Sequence, residues 1–330
     1  MSKEKTVHKT SVGGQALIEG VMMNGPKGAA LSVRHTDGSI ITEEFSVNHA
    51  KDKIKFLGWP FIRGIVNFIE SMTIGYKSLM RSAELSGQLD AEESTEDMSK
   101  LDKWLNDHMG PKMVTVITAV CSVVVVALCM GLFFYAPTYL VDLVDTKLLN
   151  GALADFHPLF EGIIKMIIAV CYMLAVSQMK DIKRVFMYHG AEHKSIFCYE
   201  KGLELTVENV RGCKRFHPRC GTSFIFIVLI TSVIISFLAV LIFPVLNNPE
   251  YRILWTVVKI LVILPIVTGI SYELIKYAGR HDNIITKIFS APGLLMQRIT
   301  TKEPTDDMIE VAIASIKAVI TDNPEDDKLE

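Results

Sequence analysis

The sequence predicts a mainly α, polytopic helical membrane protein with about four transmembrane helices and a small α+β N-terminal region in the cytoplasm. Three observations carry this. The 330-residue chain has a mean hydropathy of +0.33, although 50% apolar residues is ordinary for a globular protein. Its charged residues, 21% of the total, are unevenly spread. Two stretches, Met113–Val141 and Cys220–Pro249, carry none, and each exceeds the ~20 apolar residues that a helix needs to cross a bilayer. A soluble two-domain enzyme is thereby excluded. So is a basic nucleic-acid binder, because the net charge is −2.

Residues 1–112 are expected to form the cytoplasmic N-terminal region. Lys3, Lys5 and Lys9 have no apolar run behind them, so this end does not read as a signal peptide. Gly13-Gly14-Gln15 followed by Leu17-Ile18-Glu19-Gly20 suggests a glycine-rich turn. It lacks the strand and helix context of a nucleotide-binding loop. Ala29–Val47 reads as two strands around the turn Asp37-Gly38. Gly58–Leu85 places Ile62, Ile65, Val66, Ile69, Met72, Tyr76, Leu79 and Met80 at helical spacing. Such a helix would lie on the membrane surface or under the bundle, with Arg63, Asn67 and Glu70 on a solvated face. Ser86–Asp107 reads as an acidic linker.

The membrane domain is expected over 113–275, with spans at about 113–140, 159–179, 222–245 and 253–272. The second contains Lys165 and the fourth Lys259, with Pro265 and Gly269 as an expected kink. Both lysines are expected to snorkel to the outer headgroups; the alternative is a cationic patch for an anionic lipid or solute. The segment 180–220 holds nine Lys/Arg against five carboxylates, whereas 142–162 holds one Lys against four. Basic segments stay inside, so both termini are expected in the cytoplasm of a plasma-membrane protein. Residues 276–330 form a cytoplasmic C-terminal segment, with an amphipathic helix over Asp306–Ile320 capped by Thr305 and an acidic tail from Thr321.

Metal-ligand residue types concentrate in the basic loop 180–221. It carries His189, Glu192 and His193, then Cys198, Cys213, His217 and Cys220. In a helix, His189 and His193 share one face and can present imidazole nitrogens to one ion. The H-x-x-E-H order is the inverted zincin pattern, in which two His hold zinc and the Glu serves as base. His217 or Cys220 would supply a third ligand. Gly190 inside the run weighs against a helix there. Three readings stay open at this point: a catalytic metal site, a closed zinc staple, and a hydrogen-bonded polar cap without metal. The six cysteines suggest no disulfide framework, since none falls on the expected outer face.

Longer motifs point to a family. Gly13–Met23, Arg63-Gly64, Glu70-Ser71, His189–Lys194, His217–Phe224, Pro292-Gly293-Leu294, Gln297, Thr300-Thr301, Glu303-Pro304 and Glu310–Ile313 resemble those of bacterial YqhQ-type membrane proteins. The resemblance covers roughly residues 10–320. It implies a domain of unknown function, sometimes described as a predicted metal-dependent enzyme, and it emphasises His189, Glu192, His193, His217 and Cys220. It brings no substrate or reaction.

The expected function is a metal-dependent, zinc-type hydrolase at the cytoplasmic membrane boundary, acting on a lipid-linked or membrane-proximal substrate. His189, His193 and His217 or Cys220 would be ligands, and Glu192 the general base. The alternative is a non-enzymatic scaffold or assembly factor that docks other membrane proteins on the Gly58–Leu85 helix and the basic loop. A transporter comes third, because both lysines lie near the outer side of their spans. Partners are the bilayer and such a substrate or protein; nucleic acid is not expected.

Overall fold

The computed structural model describes residues 9–47, 50, 54–60, 62–87, 111–153, 156–218, 220–281, 283–321, 323 and 326. Most of the expected acidic linker and tail lies outside them. The fold is mainly helical with a small N-terminal four-stranded sheet. Its strands are β1 (Gly13–Leu17), β2 (Gly20–Gly25), β3 (Gly28–Arg34) and β4 (Ile40–Phe45). They pair antiparallel in sequence order. The β3–β4 hairpin turns where the sequence puts it: Gly38 has a φ of +89°, and Asp37 accepts from the Ser39 amide at 2.8 Å and hydroxyl at 2.6 Å. The glycine-rich stretch is a strand rather than a turn. Gly13 and Gly14 pair with Asn24 and Met23, and the tight turn falls at Glu19, whose φ is +50°.

Helices follow in chain order: α1 (Ile62–Leu85), α2 (Pro111–Met130), α3 (Ala136–Leu148), α4 (His157–Val176), α5 (Lys180–Glu200), α6 (Val207–Arg211), α7 (Gly221–Ile242), α8 (Arg252–Val258), α9 (Leu264–Arg280), α10 (Ile284–Thr300) and α11 (Asp306–Val319). A 3-10 turn, Lys55–Gly58, precedes α1. Among the described residues, four helical stretches are long and apolar enough to cross a membrane: Ala119–Leu148, His157–Val176, Gly221–Ile242 and Ile253–Ala278. Two of them contain a π turn, at Gly131–Tyr135 and Lys259–Ile263. Each π turn ends just before a proline, Pro137 or Pro265. Proline removes an amide and crowds the carbonyl one turn back, and the wider turn absorbs both.

The described parts of the chain form two compact units. One comprises Leu89–Tyr172 and Ser232–Ile263. Within it Lys165 and Lys259 do not snorkel; both ammonium groups meet the Glu161 carboxylate, at 2.7 and 2.9 Å. Glu161 lies inside α4, one helical turn before Lys165, and is 4% exposed. A buried carboxylate shared by two cations costs far less than any of the three charges alone. Nearby, the missing side chain of Gly162 accommodates Val233.

The other unit comprises Met1–Gln88, Met173–Thr231 and Leu264–Glu330. Here the sheet is covered on both faces, as alternation along its strands allows. Val21, Met23 and Ala30 pack against Tyr188, Ala191 and Ile196 of α5 and against Met308, Ala312 and Ile316 of α11. Leu17, Met22, Leu31 and Val33 face Ile74, Leu79 and Leu85 of α1. The α11 boundaries match the sequence expectation, but Thr305 makes no side-chain cap hydrogen bond and the helix lies in the core. In α1 much of the apolar stripe points away from the protein, as the membrane-surface alternative requires. The buried positions are Gly64, Gly75, Ser78 and Ser82, while Ile69, Met72, Tyr76 and Met80 are exposed. The expected solvated face is instead partnered. Arg63 forms a two-pronged ion pair with Glu273, Asn67 donates to the Tyr272 hydroxyl, and Glu70 accepts from the Ala50 amide.

Candidate metal centre

The centre is built on α5, which is helical through Gly190. The glycine has a packing reason. A Cβ there would stand 2.0 Å from the Lys302 carbonyl oxygen, and Lys302 donates its amide to the Phe186 carbonyl at 2.8 Å. Unbroken helix puts His189 and His193 on one face, with their rings 4.4 Å apart. The His189 Nδ1 bonds the Thr300 carbonyl at 2.8 Å and so donates to it, which turns Nε2 towards the Cys220 sulfur at 3.1 Å. The His193 Nδ1 is likewise fixed by the Arg215 carbonyl at 2.5 Å. Backbone carbonyls on the outer nitrogens set ring orientation and tautomer, the arrangement that second shells of metal sites use.

The ligand atoms of His189, His193 and Cys220 all lie within 4.8 Å of one another. A single ion with bonds of about 2.0–2.3 Å gathers donors in this way. Two nitrogens and a sulfur suit a borderline-soft ion such as zinc. Two further observations test the fit. The His193 Nε2 and the Glu192 Oε2 are buried without a hydrogen-bond partner. Polar atoms left so cost about 1–3 kcal/mol each, and an ion beside them removes the first of these costs. The residues present fit the group.

Electrostatics run the same way. Burial and the neighbouring His189 hold His193 below the ordinary imidazole value, so the ring stays neutral and able to ligate. Burial pushes the Cys220 thiol up; a protonated His193 would pull it down, and the Thr222 hydroxyl and amide also pull it down, leaving it below the ordinary thiol value. Burial raises Glu192 to about 8, with Cys220 adding to it and His189 and the Gly14 amide opposing it. Gly14 must be a glycine here: a Cβ would meet the Met22 carbonyl at 2.6 Å and Glu192 itself at 3.1 Å.

His217, the other expected ligand, stands apart from this group. Its Nε2 lies 3.6 Å from the Glu200 carboxylate, and its ring is 5.7 Å from that of His193. Its backbone is clasped by Gln297, which accepts from the His217 amide at 2.8 Å and donates to its carbonyl at 2.7 Å. That clasp holds the segment carrying the Arg215 carbonyl and Cys220. Glu200, Gln297, Thr300 and Gly14 were not read as site residues from spacing. Three of them fall in motifs that carry the family resemblance, which was the available signal.

Residues 59–322 match the family model described as "Protein of unknown function (DUF1385)". The chain belongs to this family. The DUF1385 match takes in all five residues singled out for the centre. The chain is also similar to "Uncharacterized protein YqhQ" of Bacillus subtilis (strain 168). The two are 35% identical over 324 residues, covering 97% of this chain and 95% of the relative. No solved structure matches this DUF1385 chain.

Proposed function

We propose that this chain is a metal-dependent hydrolase of the plasma membrane, with a zinc-type centre on the cytoplasmic side and a lipid-linked or membrane-proximal substrate. One observation carries the proposal: a buried His189–His193–Cys220 donor set beside a Glu192 oxygen that has no partner. Three protein donors are the number that catalytic zinc sites use, whereas structural sites close with four. A bound ion would supply Lewis acidity and bring a water's pKa towards neutrality. Glu192, buried beside the donor set, would take and return the proton. The Thr300 and Arg215 carbonyls keep both rings oriented, and Gln297 holds the segment that carries Cys220. The domain division we propose has a cytoplasmic region over 1–112, a membrane domain over 113–275 and a cytoplasmic segment over 276–330, with both termini inside.

Burial favours a second reading. His193 is 1% exposed and Glu192 4%, as in a metal staple that fastens α5 to the start of α7 within a scaffold protein. Metal analysis of stringently purified full-length protein tests both readings. We expect about one zinc per chain, lost in His189→Ala and Cys220→Ser, since structural and catalytic sites alike need their ligands. No metal would sink both. Lipid-extract turnover by wild type, abolished in Glu192→Gln at full metal content, selects the hydrolase. A stable membrane-protein partner retained by Glu192→Gln, with no turnover, selects the scaffold.

A further inference from the structure

We infer that residues 54–60 and 62–76, the 3-10 turn and the first turns of α1, are immersed in the lipid of the leaflet where α7 begins and α9 ends. The inference rests on the apolar spans and is independent of the metal centre.

Depth is the first argument. Gly64 packs against Gly269 and Tyr272, where a Cβ would meet Tyr272 at 2.8 Å and the Gly269 Cα at 3.1 Å. Gly269 and Tyr272 lie in the last turn of the fourth apolar run, just before Glu273 and Lys276. At about 1.5 Å per residue this contact is within roughly 5 Å of the end of that run, where hydrocarbon gives way to headgroups. One turn further on, Phe68 packs on Phe224, close to the start of α7, with ring centroids 5.7 Å apart.

Polarity is the second argument. Between Ile62 and Tyr76 the only charged side chains are Arg63 and Glu70. Arg63 is paired with Glu273 on α9, and Glu70 accepts from the Ala50 amide. Asn67 donates to the Tyr272 hydroxyl at 2.7 Å, and the Thr73 hydroxyl donates to the Ile69 carbonyl at 2.8 Å. These four side chains are thus satisfied within the protein, as a hydrocarbon environment demands. The large apolar side chains Phe56, Trp59, Phe68, Ile69, Met72 and Tyr76 are exposed, with the small Ser71 and Thr73 among them. Large apolar groups outside with glycine and serine inside is the packing of a lipid-facing helix. The helix docks on α9 through Gly64 and on α7 through Phe68, two helices apolar enough to cross a membrane, so lipid is the occupant. Along α1 the first exposed charge is Lys77, directly after Tyr76, the aromatic-then-basic order of a membrane boundary. Lys55, in the 3-10 turn, is also exposed, and its stem is long enough to snorkel.

Spin-label depth measurement on full-length protein in lipid nanodiscs tests this. The exposed Cys121, Cys129 and Cys171 are changed to Ala, which leaves three buried thiols. Labels are then placed by Met72→Cys, Ile69→Cys and, on the exposed β3–β4 turn, Asp37→Cys. At 69 and 72 oxygen should relax the label several-fold more than an aqueous nickel chelate, with the reverse at 37. Nickel-dominated relaxation at 69 and 72 would overturn the inference. Protection from both reagents would overturn it too, since that marks a protein partner or a second copy. Native Trp59 gives a second reading without cysteine changes. Brominated-lipid quenching should fall in Trp59→Phe, and unchanged quenching counts against immersion.

Discussion

A methyl group at position 190 would stand 2.0 Å from the Lys302 carbonyl oxygen. Gly190→Ala should therefore push α5 away from the segment leading into α11, at an overpacking cost of about 1–3 kcal/mol. Gly13→Ala, where nothing lies within 4 Å, should leave the melting temperature unchanged. Ligand roles separate in the same way. Cys220→Ser should abolish metal binding, whereas His217→Ala should keep the stoichiometry. Gln297→Ala, which opens the clasp on the His217 segment, should weaken metal affinity by about 10–100-fold, as outer-shell changes do. Isothermal titration against a competing chelator measures each. Sequence proximity alone made His217 and Cys220 equal candidates; what separates them is that the His217 Nε2 faces the Glu200 carboxylate while the Cys220 sulfur faces His189.

Glu192 also makes a pH prediction for the metal-free protein. Its folded value, about 8, lies above the ordinary 4.5. The folded state therefore binds more protons than the unfolded chain between these values, and the stabilisation present at low pH is lost as pH rises towards 8. Glu192→Gln removes that loss. In chelator-treated samples its melting temperature should gain on wild type progressively from pH 4.5 to 8. A constant offset would show that the carboxyl keeps its ordinary value.

Among elements, the ion cluster on α4 offers a sharp contrast. Glu161→Gln leaves two ammonium groups together without their counter-charge, and breaking a buried pair in this way costs about 3–5 kcal/mol. Lys165→Met leaves one cation with one carboxylate and should be tolerated. Thermal aggregation in detergent separates the two variants, and equal losses would mean that Glu161 is not the hub. The spans themselves were legible because length and lack of charge suffice to define a transbilayer helix. The pairing was not, because Glu161 reads as a loop carboxylate until α4 is seen to begin at His157. The β3–β4 hairpin was announced by Asp37-Gly38. Strands β1 and β2 were hidden by Gly13 and Gly14, residues that signal turns. The apolar period of α1 was also plain, yet the same stripe fits a protein core or lipid, and only the buried Gly64, Gly75, Ser78 and Ser82 decide which way it points.

For the whole molecule, the charge asymmetry between 180–220 and 142–162 predicts both termini on the cytoplasmic side. Fluorescent-protein fusions should be active at either end and alkaline phosphatase fusions inactive; phosphatase activity at the C-terminus would reverse the topology. The covering of the sheet carries a further consequence, one of timing. The face formed by Val21, Met23 and Ala30 is closed by α5 and finally by α11. Synthesis runs at about 5–20 residues per second, so the interval between translating Phe45 and Val319 is roughly 15–55 s. During it the ribosome also delivers every apolar span. A newly made sheet thus waits, greasy side open, until α11 leaves the exit tunnel.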